Sequence, residues 1–275
     1  MKKGINVWTM PAHLTIAEQI QLAEQAGYQT IEFNIAEAHE KTLDLSLETT
    51  QAELTEIKAL IDQSTVKVES LSTALHWQYA LSDNNPDIRE KGKAIVKKMI
   101  DYAKFFGAQA VLVVPGLVTE EVAYDVCYER SLAALKELSA YAESREIVIG
   151  IENVENLFLM SPLEARDFVD EIASPYVRFY FDVGNALPFG YPEQWIKILG
   201  ERIIRIHVKD FRKDIGNMQG FCRLLAGDVA WDKVMAALRE IGYTGPLTCE
   251  LSPYKINGEL LTYETSRVLE DLMKL

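Results

Sequence analysis

Eight times along this chain a short apolar run is followed by a longer amphipathic segment, a rhythm that few backbone arrangements satisfy. The short runs cover residues 4–8, 30–34, 67–72, 110–114, 147–152, 177–182, 203–209 and 246–250. Most are rich in Val, Ile or Phe without strict polar alternation, the pattern of parallel strands covered on both faces. Between them, segments 15–26, 47–63, 86–106, 121–143, 162–172, 192–199, 231–241 and 259–273 repeat apolar residues every three or four positions, as helices packed on one side do. Gly27, Gly107 and Gly242 each close a helical run, where a left-handed cap favours glycine. The endings Ala26-Gly27-Tyr28, Phe106-Gly107-Ala108 and Ile241-Gly242-Tyr243 read as one unit reused. No Gly/Ser/Pro-rich linker or charge block divides the eight cycles. The expectation is an α/β chain forming a single (β/α)₈ TIM barrel domain over residues 1–275.

Charge narrows the classes of partner. With 28 Lys and Arg against 41 Asp and Glu, the net charge of −13 opposes non-specific binding to nucleic acid or to an anionic membrane. Cys127, Cys222 and Cys249 form no CxxC pair and leave an odd thiol, so neither a disulfide framework nor a thiolate zinc site is expected, and a reduced cytoplasm suits the chain. Asn6, Thr9 and Pro11 interrupt what a secretory signal would need as an apolar core. No stretch approaches the roughly 20 apolar residues of a membrane-spanning helix.

The fifth to eighth strands each end in a residue able to bind metal, in Ile151-Glu152-Asn153, Phe181-Asp182-Val183, Ile206-His207-Val208 and Cys249-Glu250-Leu251. In a barrel the C-terminal strand ends ring a common mouth, where their side chains converge. One such carboxylate alone would read as a solvated loop residue or a helix N-cap. Four in register crowd three carboxylates and an imidazole together, which is costly without a cation. The expected metal ligands are therefore Glu152, Asp182, His207 and Glu250. Three oxygen donors, one nitrogen and no sulfur favour one hard divalent ion, Mn²⁺ first, with Co²⁺, Mg²⁺ or Zn²⁺ as the other candidates. Such a site leaves coordination positions for a substrate.

At these motifs, Gly150-Ile151-Glu152-Asn153, Phe181-Asp182-Val183-Gly184-Asn185, Ile206-His207-Val208-Lys209-Asp210 and Glu250-Leu251, the chain resembles the xylose-isomerase-like sugar phosphate isomerases and epimerases. Within that group it is most similar to the ketose 3-epimerases and L-ribulose-5-phosphate 3-epimerase, over nearly its whole length. The resemblance implies that Glu152 and Glu250 are catalytic as well as metal-binding, exchanging protons with the substrate. A proton beside a ketone is too weakly acidic for an ordinary carboxylate unless the enediolate is stabilised, which a metal chelated by the sugar oxygens provides. The expected activity is a metal-dependent isomerase or epimerase of carbohydrate metabolism, inverting C3 of a ketose or ketose phosphate or interconverting aldose and ketose. The expected partner is a small sugar or sugar phosphate, and homo-oligomers are common in the group.

Further residues are expected to bind substrate. Asn185 stands where many relatives carry histidine in an Asp-x-Gly-His motif; an amide can donate to a hydroxyl but takes up no proton at neutral pH, and helix capping is the competing role. Arg223 lies in the loop after the seventh strand, where relatives place an arginine against substrate oxygens. Lys209, with Arg212 and Lys213, makes this region locally basic. Segment 210–228 reads as a lid, although Leu225-Ala226-Gly227-Asp228 departs from the usual glycine, acidic residue, glycine pattern. Trp8, at the end of the first strand, and His76 with Trp77, after the third, are candidate pocket walls. Glu32, inside the second strand, reaches either the site or a neighbour in the barrel interior, and His13 and His39 read as surface residues.

Four other readings carry less. A lyase of the inosose or dehydroshikimate dehydratase type would use the same fold and metal to expel a hydroxyl. A DNA-repair nuclease needs more than four His and a basic face. A two-metal xylose isomerase needs an Asp-x-Asp where this chain has Asp210-Phe211-Arg212. A barrel that merely binds sugar would not need the full ligand set.

Overall fold

The computed structural model describes residues 1–39 and 45–275. Eight parallel strands close a barrel: β1 (Lys2–Asn6), β2 (Thr30–Asn34), β3 (Lys67–Ser72), β4 (Ala110–Val113), β5 (Val148–Glu152), β6 (Val177–Asp182), β7 (Ile203–Val208) and β10 (Pro246–Cys249), which pairs back onto β1. The main outer helices are α1 (Ile16–Gln25), α2 (Gln51–Gln63), α3 (Pro86–Phe106), α4 (Tyr124–Arg145), α5 (Pro162–Ile172), α7 (Pro192–Leu199), α8 (Trp231–Glu240) and α9 (Glu259–Leu272). The strands are buried on both faces, β4 and β10 along their whole length, which is why their sequences do not alternate. No described helix is long and apolar enough to cross a membrane.

Helix ends follow local chemistry. Thr15 with Glu18 and Thr50 with Glu53 form capping boxes, each threonine accepting from the Glu backbone while the Glu side chain accepts from the threonine backbone. The second box moves the start of α2 from the expected 47 to 51, because Thr50 satisfies the free N–H groups there. Pro86, Pro162 and Pro192 open α3, α5 and α7, where a missing N–H costs nothing. The reused glycine ending is a real device. Gly27, Gly107 and Gly242 have φ of 76°, 79° and 72°, and Tyr28, Ala108 and Tyr243 each donate at 2.9 Å to a carbonyl five residues back.

Three boundaries differ from expectation near the mouth. β1 ends at Asn6, whose side chain accepts from Trp8 N and turns the chain into a 3-10 turn at Val7–Thr9, so Trp8 lies beyond the strand. A short helix, α6 (Val183–Ala186), follows β6 directly, with Asp182 as its N-cap. Segment 210–228 contains a two-strand hairpin of β8 (Asp210–Phe211) and β9 (Phe221–Cys222). Asp210 anchors this segment: one oxygen accepts from Phe211 N and Val229 N, the other from Leu225 N and Trp231 Nε1.

Candidate metal centre and active site

Register sets the site. Asp182 is the last residue of β6 and lies opposite His207, the penultimate residue of β7; Glu152 ends β5, and Glu250 follows β10 by one residue. One ligand atom from each of Glu152, Asp182, His207 and Glu250 falls within 4.8 Å of the others. His207 Nδ1 is 2.9 Å from Glu152 Oε1 and 3.8 Å from Glu250 Oε2. Asp182 Oδ1 accepts from Asn185 N at 2.7 Å, whereas its Oδ2 is buried without a hydrogen bond. Lys209 Nζ stands 3.4 Å from that oxygen and 2.6 Å from Glu250 Oε2. Gly184 makes room for the lysine, since a Cβ there would meet Lys209 Cγ at 2.5 Å.

Proton affinities follow from this crowding. Burial, offset by His207 and reinforced by the charges of Glu250 and Asp182, pushes the Glu152 carboxyl up to about 8. Burial also raises Asp182 to about 6, against the pull of Lys209. Glu250 is penalised by burial too, yet Lys209 and His207 hold it below the ordinary carboxylate range. His207, despite burial, is raised well above the usual imidazole range by Glu32, Glu250 and Glu152. Two neighbouring carboxyls are thus driven in opposite directions. The set fits a divalent cation: hard oxygen donors and one imidazole converge, and one buried carboxylate oxygen lacks a hydrogen-bond donor.

Above the cluster opens a cavity of about 620 Å³ whose lining includes Trp8, Glu155, Lys209, Phe221, Arg223, Glu250 and Tyr254. Trp8 is 42% exposed on its wall. Arg223 donates to Tyr254 Oη, which donates to Glu264 at 2.6 Å, so the guanidinium is already oriented. Asn185 sits under the cluster; its Nδ2 donates to Asn153 O at 2.8 Å and its buried Oδ1 has no partner. Arg212 pairs with Asp214, and neither it nor Lys213 lines the cavity. His76 is fully buried, neither ring nitrogen has a hydrogen-bond partner, and it does not line the cavity. His13 is exposed, as expected, whereas His39 is half-buried with Nε2 3.7 Å from Glu53.

Two supports escaped the sequence reading. Asn153 clamps β6, its Nδ2 donating to Asp182 O at 2.9 Å and its Oδ1 accepting from Asp182 N at 2.8 Å. The signal was its place directly after Glu152. Tyr180, two residues before Asp182, lays its ring 4.5 Å from that of His207 and donates to Glu32 at 2.6 Å. Nothing in a strand of apolar residues marks a tyrosine as part of a site. Glu32 does reach the site: it accepts from Asn6 at 2.6 Å and lies 2.7 Å from His207 Nε2.

Comparison with known proteins agrees with the barrel fold. The chain is 24% identical over 249 residues to L-ribulose-5-phosphate 3-epimerase UlaE of Escherichia coli O157:H7 (strain EC4115 / EHEC), covering 90% of this chain and 86% of the relative. A D-tagatose 3-epimerase-like protein superposes with a TM-score of 0.83 at 18% identity, over 100% of this chain and 97% of the other. The IOLI protein with a binding zinc atom superposes at 0.79 and 20% identity, over 100% and 98%. The sequence profile of the xylose isomerase-like TIM barrel family matches residues 20–272, and the chain belongs to that family.

Proposed function

We propose that this chain is a metal-dependent 3-epimerase of a ketose or ketose phosphate. The observation that carries the reading is the convergence of Glu152, Asp182, His207 and Glu250, the last of which lines the mouth cavity. Relatives named as L-ribulose-5-phosphate 3-epimerases, covered over most of their length, support the same chemistry. Those four residues would hold one divalent ion, Mn²⁺ first among the candidates. When bound, it supplies positive charge against the negative charge that builds on the sugar oxygens as a carbon-bound proton leaves.

The protein's own groups do the rest. Of Glu152 and Glu250, one takes the C3 proton on a carboxylate oxygen and the other returns a proton to the opposite face, inverting the centre. Lys209 Nζ, 2.6 Å from Glu250 Oε2, orients that carboxylate at the cavity edge. Trp8 offers an apolar wall for the sugar carbons, and the Arg223 fork suits a hydroxyl pair or a phosphate.

The test is to incubate metal-stripped protein with Mn²⁺ and a panel of pentuloses, hexuloses and their phosphates in deuterated water, following deuterium at each carbon by NMR. Metal-dependent uptake at C3, lost in Glu250→Gln, is the expected result and shows whether phosphate is required. Binding of metal with no exchange on any sugar overturns the epimerase reading, and the appearance of enone absorbance would replace it with a dehydratase.

A further inference from the structure

The metal-ligating nitrogen of a histidine is decided by whatever holds the other nitrogen, and here that group lies across the barrel. Glu32 in β2 is 175 residues from His207 in sequence, yet its Oε1 is 2.7 Å from His207 Nε2. The same carboxylate accepts from Asn6 Nδ2 at 2.6 Å, from Tyr180 Oη at 2.6 Å and from Ser70 Oγ at 2.5 Å. Asn6 and Ser70 are its register partners on β1 and β3, so closure of the sheet itself assembles the cradle. Both Glu32 and His207 are fully buried, and the Tyr180 ring covers the imidazole.

A carboxylate that takes three donors is itself an acceptor only, so the nitrogen facing it must carry a hydrogen. A neutral imidazole has one N–H and one lone pair, and fixing the first at Nε2 leaves the second at Nδ1, the atom 2.9 Å from Glu152 Oε1 and 3.8 Å from Glu250 Oε2. We propose that Glu32 is a positioning residue that holds the His207 proton on Nε2, so that Nδ1 is the nitrogen that gives up its proton and is presented to a divalent cation. This rests on the reading of the four-residue cluster as a metal site. Outer carboxylates of this kind typically change metal affinity by 10–100-fold when removed.

Calorimetric titration of Mn²⁺ into the metal-stripped protein and into Glu32→Gln is the test. It is paired with ¹⁵N-histidine NMR of the Zn²⁺-loaded wild-type protein. The proposal expects a folded Glu32→Gln variant that binds Mn²⁺ about 10–100-fold more weakly, and a wild-type spectrum in which His207 is metal-bound at Nδ1 and protonated at Nε2. A folded variant with wild-type affinity, or a wild-type proton on Nδ1, overturns it. The spectrum decides the matter even if the variant does not fold, because it needs no substitution. Failure of the wild-type protein to take up either metal overturns the metal reading beneath, an outcome distinct from a protein that binds metal through the other nitrogen.

Discussion

At the floor of the barrel Arg205 donates to Glu69 at 2.8 Å and Gln109 at 2.9 Å, and Lys2 donates to the other Glu69 oxygen at 2.7 Å, around a hollow of about 400 Å³. At the mouth, the carboxylates of Glu32, Glu152, Asp182 and Glu250 crowd against His207 and Lys209, and one Asp182 oxygen has no hydrogen bond. Charge gathers at both ends of the barrel, from β1, β3 and β7 at the floor and from β2, β5, β6, β7 and the residue after β10 at the mouth. At the floor both oxygens of the one carboxylate are matched by cations, although the buried Arg205 Nε has no hydrogen-bond partner. At the mouth negative charge outnumbers positive charge and proton affinities are displaced. An end whose carboxylate has a cation on each oxygen serves stability, whereas one whose carboxylates outnumber its cations is built for something that arrives.

The contrast is broken most directly by exchanging the consequences of mutation at the two ends. Glu250→Gln should slow metal-dependent proton exchange by about 10³-fold, within the range of a lost acid–base group, with little change in melting temperature. Arg205→Met should do the reverse, costing about 3 kcal/mol in urea denaturation by leaving Glu69 and Gln109 short of a donor, with turnover per folded molecule unchanged. If the floor variant lost activity and kept its stability, the assignment of the two ends would be wrong.

Ligand linkage sharpens the same division. Mn²⁺ at about 100 times its dissociation constant should stabilise the protein by about 2.7 kcal/mol. Calorimetric melting should show this rise in the wild-type and in Arg205→Met, but not in a Glu152→Gln, Asp182→Asn double variant.

The smallest effect separates burial from chemistry on the mouth side itself. Burial lowers the His76 imidazole from 6.5 to about 4, so the folded protein keeps it neutral where the unfolded chain would protonate it. Its contribution to stability is therefore present above pH 6.5 and is lost as pH falls towards 4, by about 2 kcal/mol between pH 6.5 and 4.5. Denaturation midpoints across that range should fall more steeply for wild-type than for His76→Phe. Equal slopes would mean that His76 is charged in the folded protein.

Much of this was legible in the chain alone, because it rests on local rules. Strand and helix periodicity, proline at helix starts and glycine at left-handed caps act within a few residues, and they predicted eight cycles with boundaries mostly right. The convergence of these side chains could be read for the same reason: a residue at a strand end has its place decided by barrel geometry, so Glu152, Asp182, His207 and Glu250 meet. The misplaced start of α2 and the unanticipated α6 came from side chains, Thr50 and Asp182, that cap the backbone in ways a periodic pattern does not reveal.

What only the tertiary structure decided lies across the barrel. Asn6, Ser70 and Tyr180 from three other strands converge on the Glu32 carboxylate that faces the His207 imidazole, Lys209 turns into the carboxylates because Gly184 leaves space, and His76 is buried outside the cavity lining. None of these follows from spacing along the chain. Each depends on which side chains closure of β1 onto β10 brings within hydrogen-bond reach, and that is a property of the closed sheet rather than of any segment.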